Sequence, residues 1–192
     1  MRTRKEGTMN KVTRAQLKKI MPNAPYSRID KYLDYINMTL EEFGIITKMR
    51  KAHFLAQIAH ESAEMRYTRE LASGDAYEGR KDLGNTQKGD GRRFKGRGFI
   101  QITGRANYAK YKTYCGYDVV SKPELLELPK GATRSAGWFF TKGCGQNLCY
   151  VADLDNGANT ELVLQKITRV INGGLNGLDS RRRYLKRALA NL

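Results

Sequence analysis

The stretch AHESAEMRYTRE, Ala59 to Glu70, places His60, Glu61, Glu64 and Glu70 within twelve residues. Two hydrolytic chemistries use such a set. Zinc-dependent hydrolysis needs HExxH, with two histidines one turn apart on a helix; the fifth residue here is Glu64, so the second ligand is missing. General acid/base cleavage of a glycosidic bond needs one protonated carboxyl to protonate the leaving oxygen. A second, ionised carboxyl must activate water or attack the sugar. Glu61 suits the acid role, because it ends an apolar helical stretch. Hydrophobic neighbours and the negative helix C-terminus would both favour its neutral form. Its partner must face it across a cleft. Glu64, one turn on, shares the surface of Glu61. Glu70, at about 100° per residue, would point half a turn away in an unbroken helix. The Glu61–Glu70 pair therefore requires the helix to end soon after Glu61 and the chain to fold back. No glycine or proline lies between them to signal that break. Glu78, in AYEGR, is a geometric rival for the base.

The elements that must hold these residues read as mainly helical. Ile29, Leu33, Ile36, Leu40 and Phe43 recur at steps of four and three, with Ser27 as N-cap and Gly44 as terminator. Thr47 caps a second helix whose broad apolar face (Met49, Ala52, Leu55, Ile58, Ala59) ends at Glu61. Further helices are predicted at 104–114, 122–128, 131–142, 160–172 and 179–190. Asn159 or Thr160 and Asp179 serve as caps and Gly173 as a stop. Residues 73–98 hold seven of the nineteen glycines and read as loop. The one strand candidate is FKGRGFIQIT, Phe94 to Thr103. Alternation there sets Ile100 and Ile102 on one face and Phe99, Gln101 and Thr103 on the other. Residues 1–10 read as a disordered basic tail and 11–192 as a single domain.

Charge is the outlier: 35 Lys plus Arg against 19 Asp plus Glu give +16 over 192 residues. Such an excess favours a polyanionic partner, whether nucleic acid, acidic membrane or anionic cell wall. The odd count of Cys115, Cys144 and Cys149 reads as reduced thiols, with room for one bridge. No CxxC pair supports a zinc site. The basic N-terminus is not followed by an apolar stretch, and no run approaches a membrane span.

FLAQIAHES, YTRE, GDGRRFKGRGFIQITGRANY and VINGGLNG together resemble glycoside hydrolase family 19, over about residues 50 to 190. That family includes plant and bacterial chitinases and many bacteriophage endolysins, and the compact phage-type members are the nearer match. The resemblance implies a mainly α (α+β), lysozyme-like fold with a small β element lining a cleft. It implies inverting hydrolysis by a single water attack, with no cofactor and no metal. Matched by motif, Glu61 is the general acid and Glu70 the general base, while Glu78 stays open as the alternative base. Thr103 matches a hydroxyl that helps the base hold the attacking water. Gln101 and Asn107 match substrate-cleft positions, Asn172 an asparagine near the base and water, and Arg181 an arginine behind the acid. Charge then selects a substrate: chitin is neutral, whereas peptidoglycan and its envelope are anionic. The expectation is a monomeric endolysin of lysozyme type that cuts β-1,4 bonds of peptidoglycan after N-acetylmuramic acid. It would accumulate in the host cytoplasm and be released through a partner such as a holin. Chitooligosaccharide cleavage is the enzymatic alternative. From another class, nucleic-acid binding through the SRRRYLKR helix, Ser180 to Arg187, shares the charge excess but lacks a zinc finger, RNP strand or basic zipper.

Overall fold

Every residue from Lys51 to Ala59 is buried, which puts helix α3 (Lys48–Glu61), carrier of the HES motif, at the centre of the computed structural model. The structure describes residues 10–192, so the tail read over residues 1–10 lies outside it apart from Asn10. A helix apolar on nearly every side is stable only when surrounded. The other helices among the described residues are α1 (Arg14–Ile20), α2 (Tyr26–Glu42), α4 (Asp90–Arg93), α5 (Arg105–Cys115), α6 (Pro129–Trp138), α7 (Leu148–Ala152), α8 (Thr160–Asn172) and α9 (Leu178–Asn191), of which α7, α8 and α9 pack directly on α3. The most extensive packing is α9 along α3; α1 also rests on α9, α2 on α6, and α7 on α8.

Several polar groups at and on α3 have defined partners. Thr47 caps the helix by accepting from the Arg50 N–H. His53 is fully buried, with Nε2 2.8 Å from Asp155 Oδ2. Burial pushes the imidazole down, against the pull of Asp155, so the neutral ring donates Nε2–H to the carboxylate. Asp155 also accepts from the Thr160 hydroxyl and the Gly157 N–H, which ties the start of α8 to the central helix.

Most helices read from periodicity are present. Ile29, Ile36 and Leu40 of α2 are fully buried, and Gly44, at φ +63°, ends that helix. Its start differs: the N-cap is Pro25 in extended conformation, not Ser27, because a fixed proline φ leads directly into the first turn. At the start of α9 the cap is Gly177, and Asp179 lies inside the first turn. The segment 122–128 is a 3-10 turn (Pro123–Glu127), and 131–142 is α6 continuing into a π-helical turn (Phe139–Gly143). Helix α1 escaped the reading although Thr13 and Gln16 form a capping box, the signature of a helix start.

The strand over Phe94–Thr103 is not formed. Among the described residues only two isolated antiparallel bridges occur, Arg69 with Arg97 and Arg97 with Ile102. Gln101 sits at φ +56° and turns the chain, which destroys the alternation: Phe99, Ile100 and Ile102 are all buried. The small β element is thus a tight loop closed by the paired backbones of Arg97 and Ile102. All three cysteines are free. No described helix is long and apolar enough to cross a membrane.

Candidate active site

Helix α3 ends at Glu61, and the chain reverses without a glycine. Ala63, Glu64 and Met65 adopt φ of +49°, +58° and +64°, three successive left-handed residues. Each such residue costs roughly 1–2 kcal/mol when it is not glycine, so tertiary contacts must hold the turn. Ser62 Oγ donates to the Ile58 carbonyl and accepts from the Met65 N–H. Met65 is buried. Glu64, 3% exposed, accepts from the Asn23 N–H (2.6 Å), Asn23 Nδ2 (2.9 Å) and the Tyr184 hydroxyl (2.9 Å). Glu64 is therefore a structural clamp on the reversal.

Glu61 keeps 18% of its side chain exposed. Besides the apolar neighbours of the helix, a guanidinium lies against it, that of the residue which the resemblance set behind the acid. Arg181, 1% exposed, donates through Nη2 to Glu61 Oε1 and through Nη1 to Gln57 Oε1 at 2.5 Å. Gln57, one turn before Glu61 on the same face, was missed from the sequence, although i, i+4 spacing carries that signal. His60 packs its ring on Gly177, where a Cβ would sit 2.3 Å from two ring atoms. Burial, with Arg181 and Arg183 nearby, pushes His60 down and keeps it neutral.

Beyond the reversal the chain pairs with the 96–102 loop. The Gly98 N–H donates to the Thr68 carbonyl and the Glu70 N–H to the Gly96 carbonyl. The Glu70 carboxylate accepts from the Tyr77 hydroxyl (2.9 Å) and the Gly96 N–H (3.0 Å). Burial, then the bond to Glu70, push the Tyr77 phenol up, so it remains the donor. Gly96 is required by crowding: a Cβ there would lie 2.8 Å from Gln101 Oε1 and 3.2 Å from Glu70 Oε2. Gln101 and Glu70 therefore converge on one bare backbone segment. The Thr103 hydroxyl donates to the Gln101 carbonyl, and Asn107 Nδ2 donates to the Thr103 carbonyl. Gln101, Thr103 and Asn107 are thus linked in series, and Glu70 adjoins them across Gly96.

Two further residues stand apart from these. Glu78 accepts from the N–H groups of Gly89 and Gly91 and so holds the start of α4. Asn172 is exposed at the end of α8, with Nδ2 3.4 Å from the Asn176 carbonyl and no hydrogen bond to Glu70 or Thr103. The supports of the loop were not legible. Arg97, nearly buried, donates to Glu127, to the Arg93 carbonyl and to the Tyr108 hydroxyl. Asn85, fully buried, joins the Tyr77 carbonyl to the Arg105 N–H.

This arrangement sits on a known scaffold. Chitinase C of Streptomyces griseus superposes with a TM-score of 0.71 at 21% identity, covering 96% of each chain. A bacterial family 19 chitinase superposes at 0.62 with 20% identity, covering 92% of this chain and 94% of that one. The fold is that of the chitinase-type glycoside hydrolases. No family model matches the chain. A Haemophilus influenzae protein described as containing a glycosyl hydrolase family 19 domain is 30% identical over 202 residues, 88% of this chain and 92% of that relative. An Arabidopsis thaliana endochitinase is 32% identical over 132 residues, 68% of this chain and 41% of that relative's length. The chain belongs to glycoside hydrolase family 19 and is a glycoside hydrolase.

Proposed function

We propose that the chain hydrolyses β-1,4 bonds in the glycan of bacterial peptidoglycan, as an endolysin of lysozyme type, by single-step inversion. The observation that carries the catalytic part is the ordered carboxylate of Glu70. Two donors, Tyr77 and the Gly96 N–H, hold it beyond a reversal that separates it from Glu61. Carboxylates set apart in this way suit general acid/base work with a water between them.

In this reading Glu61 protonates the leaving oxygen through Oε2, because Arg181 engages Oε1. Glu70 takes a proton from the attacking water. The Thr103 hydroxyl donates to the Gln101 carbonyl, which leaves its lone pairs to accept from the same water. Gln101 and Asn107 line the glycan path, and Asn172, exposed at the end of α8, is a further candidate contact for the sugar. Glu78 is set aside as the base because its carboxylate is tied to the start of α4, apart from the Gln101–Thr103 loop that Glu70 adjoins. The substrate choice is supported by the +16 charge, which concentrates the enzyme on an anionic wall and does nothing for neutral chitin. Accumulation in a host cytoplasm and release by a membrane-permeabilising partner belong to the same reading.

Chitooligosaccharide cleavage is the second reading, supported by the relatives and solved structures that are chitinases. Digestion of peptidoglycan and of chitohexaose, with mass spectrometry of the new reducing ends, decides between them. Muramic acid at the new end is expected; activity on chitin alone overturns the choice. Early proton NMR should show the α-anomer, and a β-anomer appearing first would remove Glu70 from the role of base. Glu61→Gln should lower kcat by about 10²- to 10⁴-fold while wall binding persists.

A further inference from the structure

The basic excess is unevenly matched by carboxylates. Arg14, Arg50, Arg92, Arg105, Arg134 and Arg182 each form an ion pair. Arg28, Arg66, Arg183 and Arg187 form none with any described residue; the first two line one depression and the other two flank Tyr184 on its wall. This open depression of about 380 Å³ is lined by Asn23, Arg28, Ala63, Glu64, Arg66 and Tyr184. The Arg187 guanidinium stands 5.7 Å from the centre of the Tyr184 ring. Arg183 is near enough to Tyr184 and to His60 for its charge to act on both.

Glu64 is the carboxylate on the floor of this depression, but its oxygens are already taken by Asn23 and Tyr184. The two arginines that line the depression, and the two beside Tyr184, therefore have no carboxylate partner of their own. Like charges gathered without counter-charge repel, and an incoming anion relieves that repulsion. The depression opens at Ala63, two residues after Glu61.

We propose that this depression is a subsite for a carboxylate carried by the glycan substrate, which selects strands bearing acidic peptide stems over neutral amino-sugar polymers. This rests on Glu61 acting in peptidoglycan cleavage. Guanidinium forks match a planar carboxylate with two parallel hydrogen bonds, which a free charge excess elsewhere on the surface would not supply. Arg66, on the lining, and Arg183, beside Tyr184, supply the forks for the carboxylate, while Arg28, whose Nη1 lies 3.4 Å from the Glu64 carbonyl, stays with the turn.

The test uses the full chain and its Arg66→Gln/Arg183→Gln variant on soluble, teichoic-acid-free peptidoglycan fragments. The same fragments, with their carboxylates amidated by a carbodiimide, are the control. The native chain should show a KM about tenfold higher for amidated than for unmodified fragments at low salt, roughly the worth of two exposed charge-assisted contacts. In the double variant that ratio should fall to near one. A ratio near one in the native chain, or one that survives both substitutions, overturns the subsite. Failure of the underlying reading looks different: chitohexaose is cleaved and no fragment is. In that event equilibrium binding of the fragments to the Glu61→Gln chain decides. Affinity lost on amidation and on the double substitution upholds the subsite, and affinity indifferent to both overturns it.

Discussion

Glu64 offers the sharpest test of how this site is built, because it is a buried carboxylate with no part in the reaction. Its three accepted hydrogen bonds, from the Asn23 N–H, Asn23 Nδ2 and the Tyr184 hydroxyl, hold the left-handed turn that separates Glu61 from Glu70. A hydrogen bond to a charged group contributes about 1.5–3 kcal/mol. The depression beside Glu64 admits water, so the low end applies and the freed donors are partly re-solvated. Glu64→Ala should then destabilise the chain by about 3 kcal/mol, a large part of the roughly 5–15 kcal/mol that holds a folded domain. For a chain of this size that lowers the unfolding midpoint by about 6–12 °C. Thermal melts followed by far-UV circular dichroism read the shift, and hydrolysis measured well below the midpoint reads the misplacement of Glu61 against Glu70. The partner experiment has the opposite sign. Ala63 is exposed at φ +49°, and Ala63→Gly removes about 1–2 kcal/mol of left-handed strain. The looser unfolded chain takes back about 0.4–1 kcal/mol. A net gain of about 0.5–1 kcal/mol should raise the midpoint by about 2 °C. A Glu64→Ala midpoint within about 1 °C of the native value, or a destabilised Ala63→Gly, would refute the account of the turn as strained and clamped.

Gly96→Ala places a methyl 2.8 Å from Gln101 Oε1 and 3.2 Å from Glu70 Oε2; steady-state kinetics should show kcat down about 10- to 100-fold, with the melting curve little moved. Tyr77→Phe removes one of the two donors on Glu70, and kcat should fall about tenfold with KM nearly unchanged; an equal rise in KM would point to a lost substrate contact instead. Both histidines have folded pKa values pushed below the ordinary 6.5. The unfolded chain therefore binds their protons first, so their contribution is full above pH 6.5 and is lost as pH falls through that value toward the folded pKa. The unfolding midpoint should decline between about pH 7 and pH 5, above the range where carboxylates titrate, and His60→Gln should flatten part of that decline. A midpoint that stays level across this window would contradict the burial argument.

Much of this molecule is written locally. The three-and-four spacing of Ile29, Ile36 and Leu40, the Thr47 cap and the stops at Gly44 and Gly173 are interactions within a turn or two, and the helices form where those residues stand. The motif residues that resemble family 19 likewise need no coordinates to be found. Other features depended on distant partners. SRRRYLKR reads by composition as a basic helix open to an anionic partner, yet Arg181 is buried because Gln57 and Glu61, more than a hundred residues earlier, accept its donors. Phe94–Thr103 has the composition of a strand, yet among the described residues no second strand pairs with it, and Arg97, Tyr108 and Glu127 shape it as a loop. The reversal after Glu61 is the extreme case. Ala63, Glu64 and Met65 have no intrinsic liking for left-handed backbone; the energy that puts them there comes from Asn23 and Tyr184, 41 and 120 residues from Glu64 in sequence. Residue types alone named the carboxylates that could do the chemistry. Which of them face a substrate and which clamp the backbone was decided by contacts between parts of the chain that meet only when it folds.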